Sequence, residues 1–182
     1  MDLTDRVATF LGQWFQRLEG EPAGRQGVGD FFQAGKRLGA YAALNRLVGV
    51  AVPFARRNHF QVQELRPGHV RARIPLKGNR NHIGTLYAGA MFVVAEIPGG
   101  VLVLFEFGAG FVPILKSLTM TYVKTAKSDV TVEFAISPEE VERIRRAVEA
   151  EGKAEFTLEG ELRDTEGEIV ALSKALYQVR RK

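Results

Sequence analysis

The chain has 182 residues, 46% of them apolar and 25% charged, with a formal net charge of +4. That is enough for one domain with a buried core, and the absence of cysteine excludes disulfides, thiolate metal sites and cysteine nucleophiles. Acids interspersed among the bases allow an anionic small ligand and do not imply nucleic acid, while no apolar run extends uninterrupted over the roughly 18–20 residues of a membrane span.

The first residues, Met1-Asp2-Leu3-Thr4-Asp5, are acidic and polar where an export signal would be basic and then apolar, so a cytoplasmic location is expected. Residues 2–19 read as a helix capped by Asp2, with Leu3, Val7, Phe10, Leu11, Trp14 and Leu18 forming one apolar stripe. The glycine-rich stretch from Glu21 to Gly29 reads as a loop or linker. A second helix is expected over residues 30–50, with Leu38, Tyr41, Leu44, Leu47 and Val48 on its buried face. The division expected is a helical extension over residues 1–55 and a domain over residues 56–182.

From Asn58 the period changes to two. Val70, Ala72 and Ile74 alternate with polar residues, as do Leu118, Met120 and Tyr122, then Val130, Val132, Phe134 and Ile136, then Phe156, Leu158 and Leu162. Such alternation predicts antiparallel strands with one buried and one polar face. Pro67-Gly68 and the segment Asp164–Gly167 read as hairpin turns. The last strand, Ile169 to Val179, is apolar on both faces, which predicts a central or covered position.

Two helices interrupt the strands. One follows Asn81, is apolar nearly all round, and is expected to bend at Pro98, whose ring removes a helical donor. The other spans residues 138–151. Ser137 caps it, Pro138 takes its first position, Glu140 completes a capping box, and Gly152 ends it. The predicted class is α+β: an antiparallel sheet wrapped around a central helix, preceded by a helical extension.

The chemistry concentrates in Asn79-Arg80-Asn81-His82-Ile83-Gly84-Thr85-Leu86-Tyr87-Ala88-Gly89-Ala90 and the helix beyond. Gly84, Ala88, Gly89 and Ala90 are small enough to let a ligand approach the backbone at a helix start, where free N–H groups point outward. Those donors suit a carbonyl oxygen that becomes negative during acyl transfer. Glu96 is the odd member of an apolar helix, and a carboxylate there is either paired or functional.

This stretch resembles the PaaI-like branch of hotdog thioesterases, whose motif runs Asn-x-x-Gly-x-x-His-Gly-Gly and continues to Ala-Asp. Asn81, Gly84, Gly89 and Ala95 match it, and Glu96 stands in the place of the catalytic aspartate. The chain is more similar still to an uncharacterised hotdog domain family with Asn-His-x-Gly-Thr-x-x-Ala-Gly-Ala and a helix glutamate. Tyr87 replaces the usual histidine and Ala88 the first glycine of the pair.

The resemblance implies an acyl-CoA thioesterase in which Gly89, with Ala90, holds the thioester carbonyl. Glu96 of a facing subunit then activates water or attacks directly. Asn81 orients water or the neighbouring loop, or is simply a turn residue. Gly84, Tyr87, Ala88, Ala90 and Lys124 are the candidate substrate contacts, Lys124 for phosphate. A homodimer or dimer of dimers follows, because the cleft needs two subunits. A silent acyl-CoA or fatty-acid binding module and a hotdog hydratase or dehydratase remain the alternatives.

His59, His69 and His82 show no metal-ligand spacing, and His82 reads as a loop residue. There is no phosphate-cradling glycine motif and no serine elbow, so no cofactor is expected. Residues 1–55 lack a clustered basic recognition helix, which argues against a DNA reader.

Overall fold

The computed structural model describes Thr9 and residues 28–108 and 110–182. The helix expected over residues 2–19 lies outside the described residues apart from Thr9, and so does most of the expected linker. The order is α1 (Val28–Ala51), α2 (Pro53–Arg57), β1 (Gln61–Arg66), β2 (His69–Ile74), α3 (Ala88–Phe107), β3 (Phe111–Tyr122), β4 (Val130–Ala135), α4 (Pro138–Glu151), β5 (Lys153–Arg163) and β6 (Ile169–Arg181). Helix α1 begins two residues inside the stretch read as a loop, at Val28-Gly29.

One sheet of six strands runs β1-β2-β4-β5-β6-β3, every pairing antiparallel. The expected alternation holds: Val70, Ala72, Ile74, Val130, Val132, Phe134, Phe156, Leu158 and Leu162 are buried. Strand β6 lies between β5 and β3, which explains its two apolar faces. Strand β3 departs from the pattern, because Leu118 and Met120 are only half-buried and Tyr122 is exposed. It is a twelve-residue edge strand.

Helix α3 lies against this sheet and touches β2, β3, β4, β5 and β6. It is long and apolar enough to cross a membrane, although two glutamates and a proline interrupt it. Twelve of its 20 residues are buried within the fold, so it is the core helix. The helix runs on through Pro98 to Phe107.

Helix α1 packs against β1 and α2. Asn45 is bound at both ends of its amide, its Nδ2 donating to the Val62 carbonyl (3.0 Å) and its Oδ1 accepting the Val62 N–H (2.7 Å). The Tyr41 hydroxyl accepts from the Leu65 N–H (3.0 Å). Leu44 and Val48 are buried beneath these bonds, as the helical spacing predicts.

Helix α4 has the expected ends. Ser137 Oγ accepts the Glu140 N–H at 3.2 Å, and Gly152 closes the helix in the left-handed region at φ 73°. Only half of the capping box forms. The Glu140 carboxylate turns to Arg143 (2.6 and 2.7 Å), a charge-assisted bidentate pair that outcompetes a single backbone N–H.

Candidate active site

The approach to α3 is built by two asparagines. Asn79 is buried, and its Nδ2 donates to the Asn58 and Pro75 carbonyls (2.8 and 2.9 Å) while its own carbonyl accepts the Tyr87 N–H (2.8 Å). Asn81 organises the next turn: its Oδ1 accepts from the Ile83 and Thr85 N–H groups (3.1 Å each), and its Nδ2 donates to Thr85 Oγ1 (2.9 Å). Gly84 sits in that turn at φ +84°, a conformation that costs glycine little. Asn81 therefore positions the loop, and these bonds occupy most of its amide.

Tyr87 is the cap residue of α3, yet its side chain makes no capping bond and is exposed. Its carbonyl accepts the N–H groups of Ala90 (2.9 Å) and Met91 (3.2 Å). The Ala90 donor expected to hold a substrate is thus spent, and the Ala90 side chain is buried in the core. Among the described residues, the Ala88 and Gly89 N–H groups meet no acceptor. The pair open to a ligand is Ala88 and Gly89.

Two tyrosines frame this pair. A methyl group added at Gly89 would lie 2.4 Å from the Tyr87 ring, so the glycine makes room for that ring. The Tyr122 hydroxyl, from the end of β3, donates to the Ala88 carbonyl at 3.1 Å. Burial, helped by nearby Tyr87, raises the Tyr122 hydroxyl above the usual tyrosine range. Tyr122 was visible in the sequence only as one more alternating strand residue.

Helix α3 carries two acids with opposite circumstances. Glu106 accepts the Gly68 N–H at 2.5 Å and so ties the β1–β2 turn to the helix end. Glu96 is half-buried, and among the described residues its carboxylate has no hydrogen-bond or ion-pair partner. Burial alone raises it above the ordinary carboxylate range.

Glu96 stands at the wall of a cavity of about 190 Å³ between α1, α3 and β3. Tyr177 lines the same cavity from β6, its hydroxyl donating to the Glu96 carbonyl, its ring stacked on Phe156 at 5.6 Å. Burial, and then the Glu96 charge, push that hydroxyl far above the usual range. Among the described residues, no histidine lines this cavity.

A larger groove of about 800 Å³ runs over the outer face of the sheet, but its charges are matched to one another. Lys174 pairs with Glu159 (2.7 Å), and Arg163 with Glu161. Lys124, the expected phosphate contact, is likewise occupied by Glu168 at 3.1 Å, which raises the ammonium above its ordinary range. His82 is exposed in the loop. Among the described residues, no group of three His, Cys, Asp or Glu could hold a metal.

The profile of a family described as a domain of unknown function, DUF4442, matches residues 40–179. No curated protein matches the chain. Among solved structures, a Pseudomonas aeruginosa protein of unknown function, described as a probable thioesterase, is 42% identical with a TM-score of 0.72, over 76% of this chain and 93% of that one. A Chlorobaculum tepidum protein of unknown function is 14% identical with a TM-score of 0.71, over 78% and 94% of the two chains. A Haemophilus influenzae thioesterase is 14% identical with a TM-score of 0.61, over 78% and 90%. These likenesses share the hotdog fold expected from the sequence.

Proposed function

The chain belongs to the DUF4442 family, and from that premise we propose that it is a cytoplasmic acyl-CoA thioesterase of the PaaI-like hotdog kind, working as a homodimer or dimer of dimers. Glu96 is the base or nucleophile, and the Ala88 and Gly89 N–H groups are the oxyanion site. The 42% identity to a protein described as a probable thioesterase supports the reaction class.

The observation that carries the reading is the contrast between an acid with no partner and a helix start with unspent donors. Seven residues separate Gly89 from Glu96, about 10.5 Å along the helix axis. A carbonyl bonded to the Gly89 N–H is therefore out of reach of Glu96 in the same chain. Two chains meeting along the free edge of β3 would bring one helix start towards the other chain's acid. An edge of twelve residues that is unpaired among the described residues is itself a surface that pairing would satisfy.

In the reaction, the two N–H donors stabilise the oxyanion as water adds to the thioester carbon. Glu96 removes the proton from that water, or forms an anhydride that water then opens. The thiol leaves with a proton. Asn81 holds the loop that aims the donors, and Tyr122 fixes the Ala88 peptide plane.

Steady-state hydrolysis of an acyl-CoA panel by wild type and Glu96→Gln tests this. The expected result is turnover in the wild type and a loss of about a hundredfold in the variant, with KM little changed. Tight acyl-CoA binding without hydrolysis by either protein would make it a binding module instead. Sedimentation as a stable monomer at micromolar concentration would remove the composite site.

A further inference from the structure

The cavity beside Glu96 lies between α1, α3 and β3. Leu44 and Val48 of α1 supply one wall, Ile97 and Val101 of α3 another, and Leu115 of β3 and Tyr177 close the remainder. We infer that this cavity takes the acyl chain of the substrate, that the chain is an unsubstituted aliphatic one of roughly six to eight carbons, and that α1 sets its length. The inference rests on the thioesterase reading and adds the substrate class.

Three observations carry it. The first is position: among the described residues the only carboxylate on the cavity wall is Glu96, so a chain lodged there places its carbonyl end beside the proposed base.

The second is lining. Among the described residues, the wall apart from Glu96 and Tyr177 is built of aliphatic residues, glycine and proline. The Tyr177 hydroxyl is already committed to the Glu96 carbonyl. A hydroxylated or charged acyl group would be stripped of water there with nothing to replace it. The raised pKa of Glu96 reports the same apolar surroundings.

The third is size. A dry apolar cavity of about 150 Å³ accommodates a six-carbon molecule such as benzene, whereas pockets for whole drug-sized ligands occupy roughly 300–1,000 Å³. At about 190 Å³ the space suits a short to medium chain and leaves the CoA portion outside. The floor cannot recede easily. Tyr177 is held between Phe156 and α3, and a methyl group added at Gly99 would lie 2.2 Å from its ring. The wall that can change is α1.

The test is the chain-length profile of kcat/KM, from acetyl-CoA to palmitoyl-CoA, in wild type, Val48→Phe and Val48→Ala. Burial of each methylene is expected to raise wild-type kcat/KM by about fourfold until the cavity is full, with a fall beyond eight carbons. Val48→Phe should move the optimum to chains about two carbons shorter, and Val48→Ala to longer ones. If Val48→Phe does not fold, the shift in Val48→Ala decides. A flat profile in the wild type, or one unmoved in both variants, overturns the inference and leaves the thioesterase reading standing. If the wild type hydrolyses no thioester, that reading falls, and calorimetry with octanoate judges the cavity alone. Octanoate binding weakened by Val48→Phe upholds the pocket, and no binding ends it.

Discussion

Helices α3 and α4 solve the same problem in opposite ways. Helix α4 carries its own end signals and side-chain pairs: Ser137 caps it, Pro138 starts it, Arg143 and Arg146 pair with Glu140 and Glu142, and Gly152 ends it. Only Ile144 and Val148 are buried. Helix α3 has no side-chain cap, no acid in its first turn, no base in its last and a proline inside, and it persists because the sheet buries it. A helix that secures its own ends spends its terminal N–H groups on its own side chains. One that is held from outside leaves them for a ligand, and the unspent donors of Ala88 and Gly89 are on the second kind.

The sharpest way to break this comparison is Glu96→Gln. Turnover should fall by about a hundredfold, about 2.7 kcal/mol in activation free energy. In the wild type, kcat should fall with decreasing pH as Glu96 takes up its proton, with a midpoint above the ordinary carboxylate range because burial raises it. Stability runs the other way. A carboxyl raised in the native state binds its proton more tightly there than when unfolded, so stability is lost as pH rises from its unfolded pKa through its folded one. Calorimetry at pH 4 and pH 8, values chosen to lie roughly on either side of that window, should show Glu96→Gln gaining melting temperature over wild type only at the higher pH. A loss there would mean that Glu96 has a partner.

Next in size is Gly99→Ala, whose methyl group would collide with the Tyr177 ring. Overpacking of this kind costs about 1–3 kcal/mol, to be read from urea unfolding. An unchanged midpoint would mean that Tyr177 is not the fixed floor described above. Ser137→Ala should cost about 1 kcal/mol while leaving hydrolysis untouched, which confines α4 to a structural part. Smallest is Arg146→Ala, an exposed i,i+4 pair worth about 0.3–0.5 kcal/mol. A larger loss would show that α4 depends on its neighbours more than its local bonds suggest.

What the sequence disclosed follows the same divide. The limits of α4 were legible because Ser137, Pro138 and Gly152 act within a turn of themselves, and the strands because alternation is local. Asn81 could be read as orienting water or the loop, or as a turn residue, and its bonds to Ile83 and Thr85 lie within the turn. The rest needed the fold. Tyr122 reaches Ala88 across 34 residues, and Tyr177 reaches Glu96 across 81. Ala90 looked as available as Gly89, because no pattern of residue types reveals that its N–H is taken by the Tyr87 carbonyl.

Strands β4 and β5 are joined by only two residue pairs, Thr131 with Arg163 and Val132 with Leu162, and beyond them Phe134 leans against Gly160. By contrast β5 and β6 are paired nearly end to end. Amide hydrogen exchange should therefore divide the sheet into two cooperative units, β1-β2-β4 and β5-β6-β3, opening independently at the seam. Helix α3 touches strands of both units. A ligand lodged against that helix would slow exchange in both at once, so protection measured far from the cavity would report its occupancy.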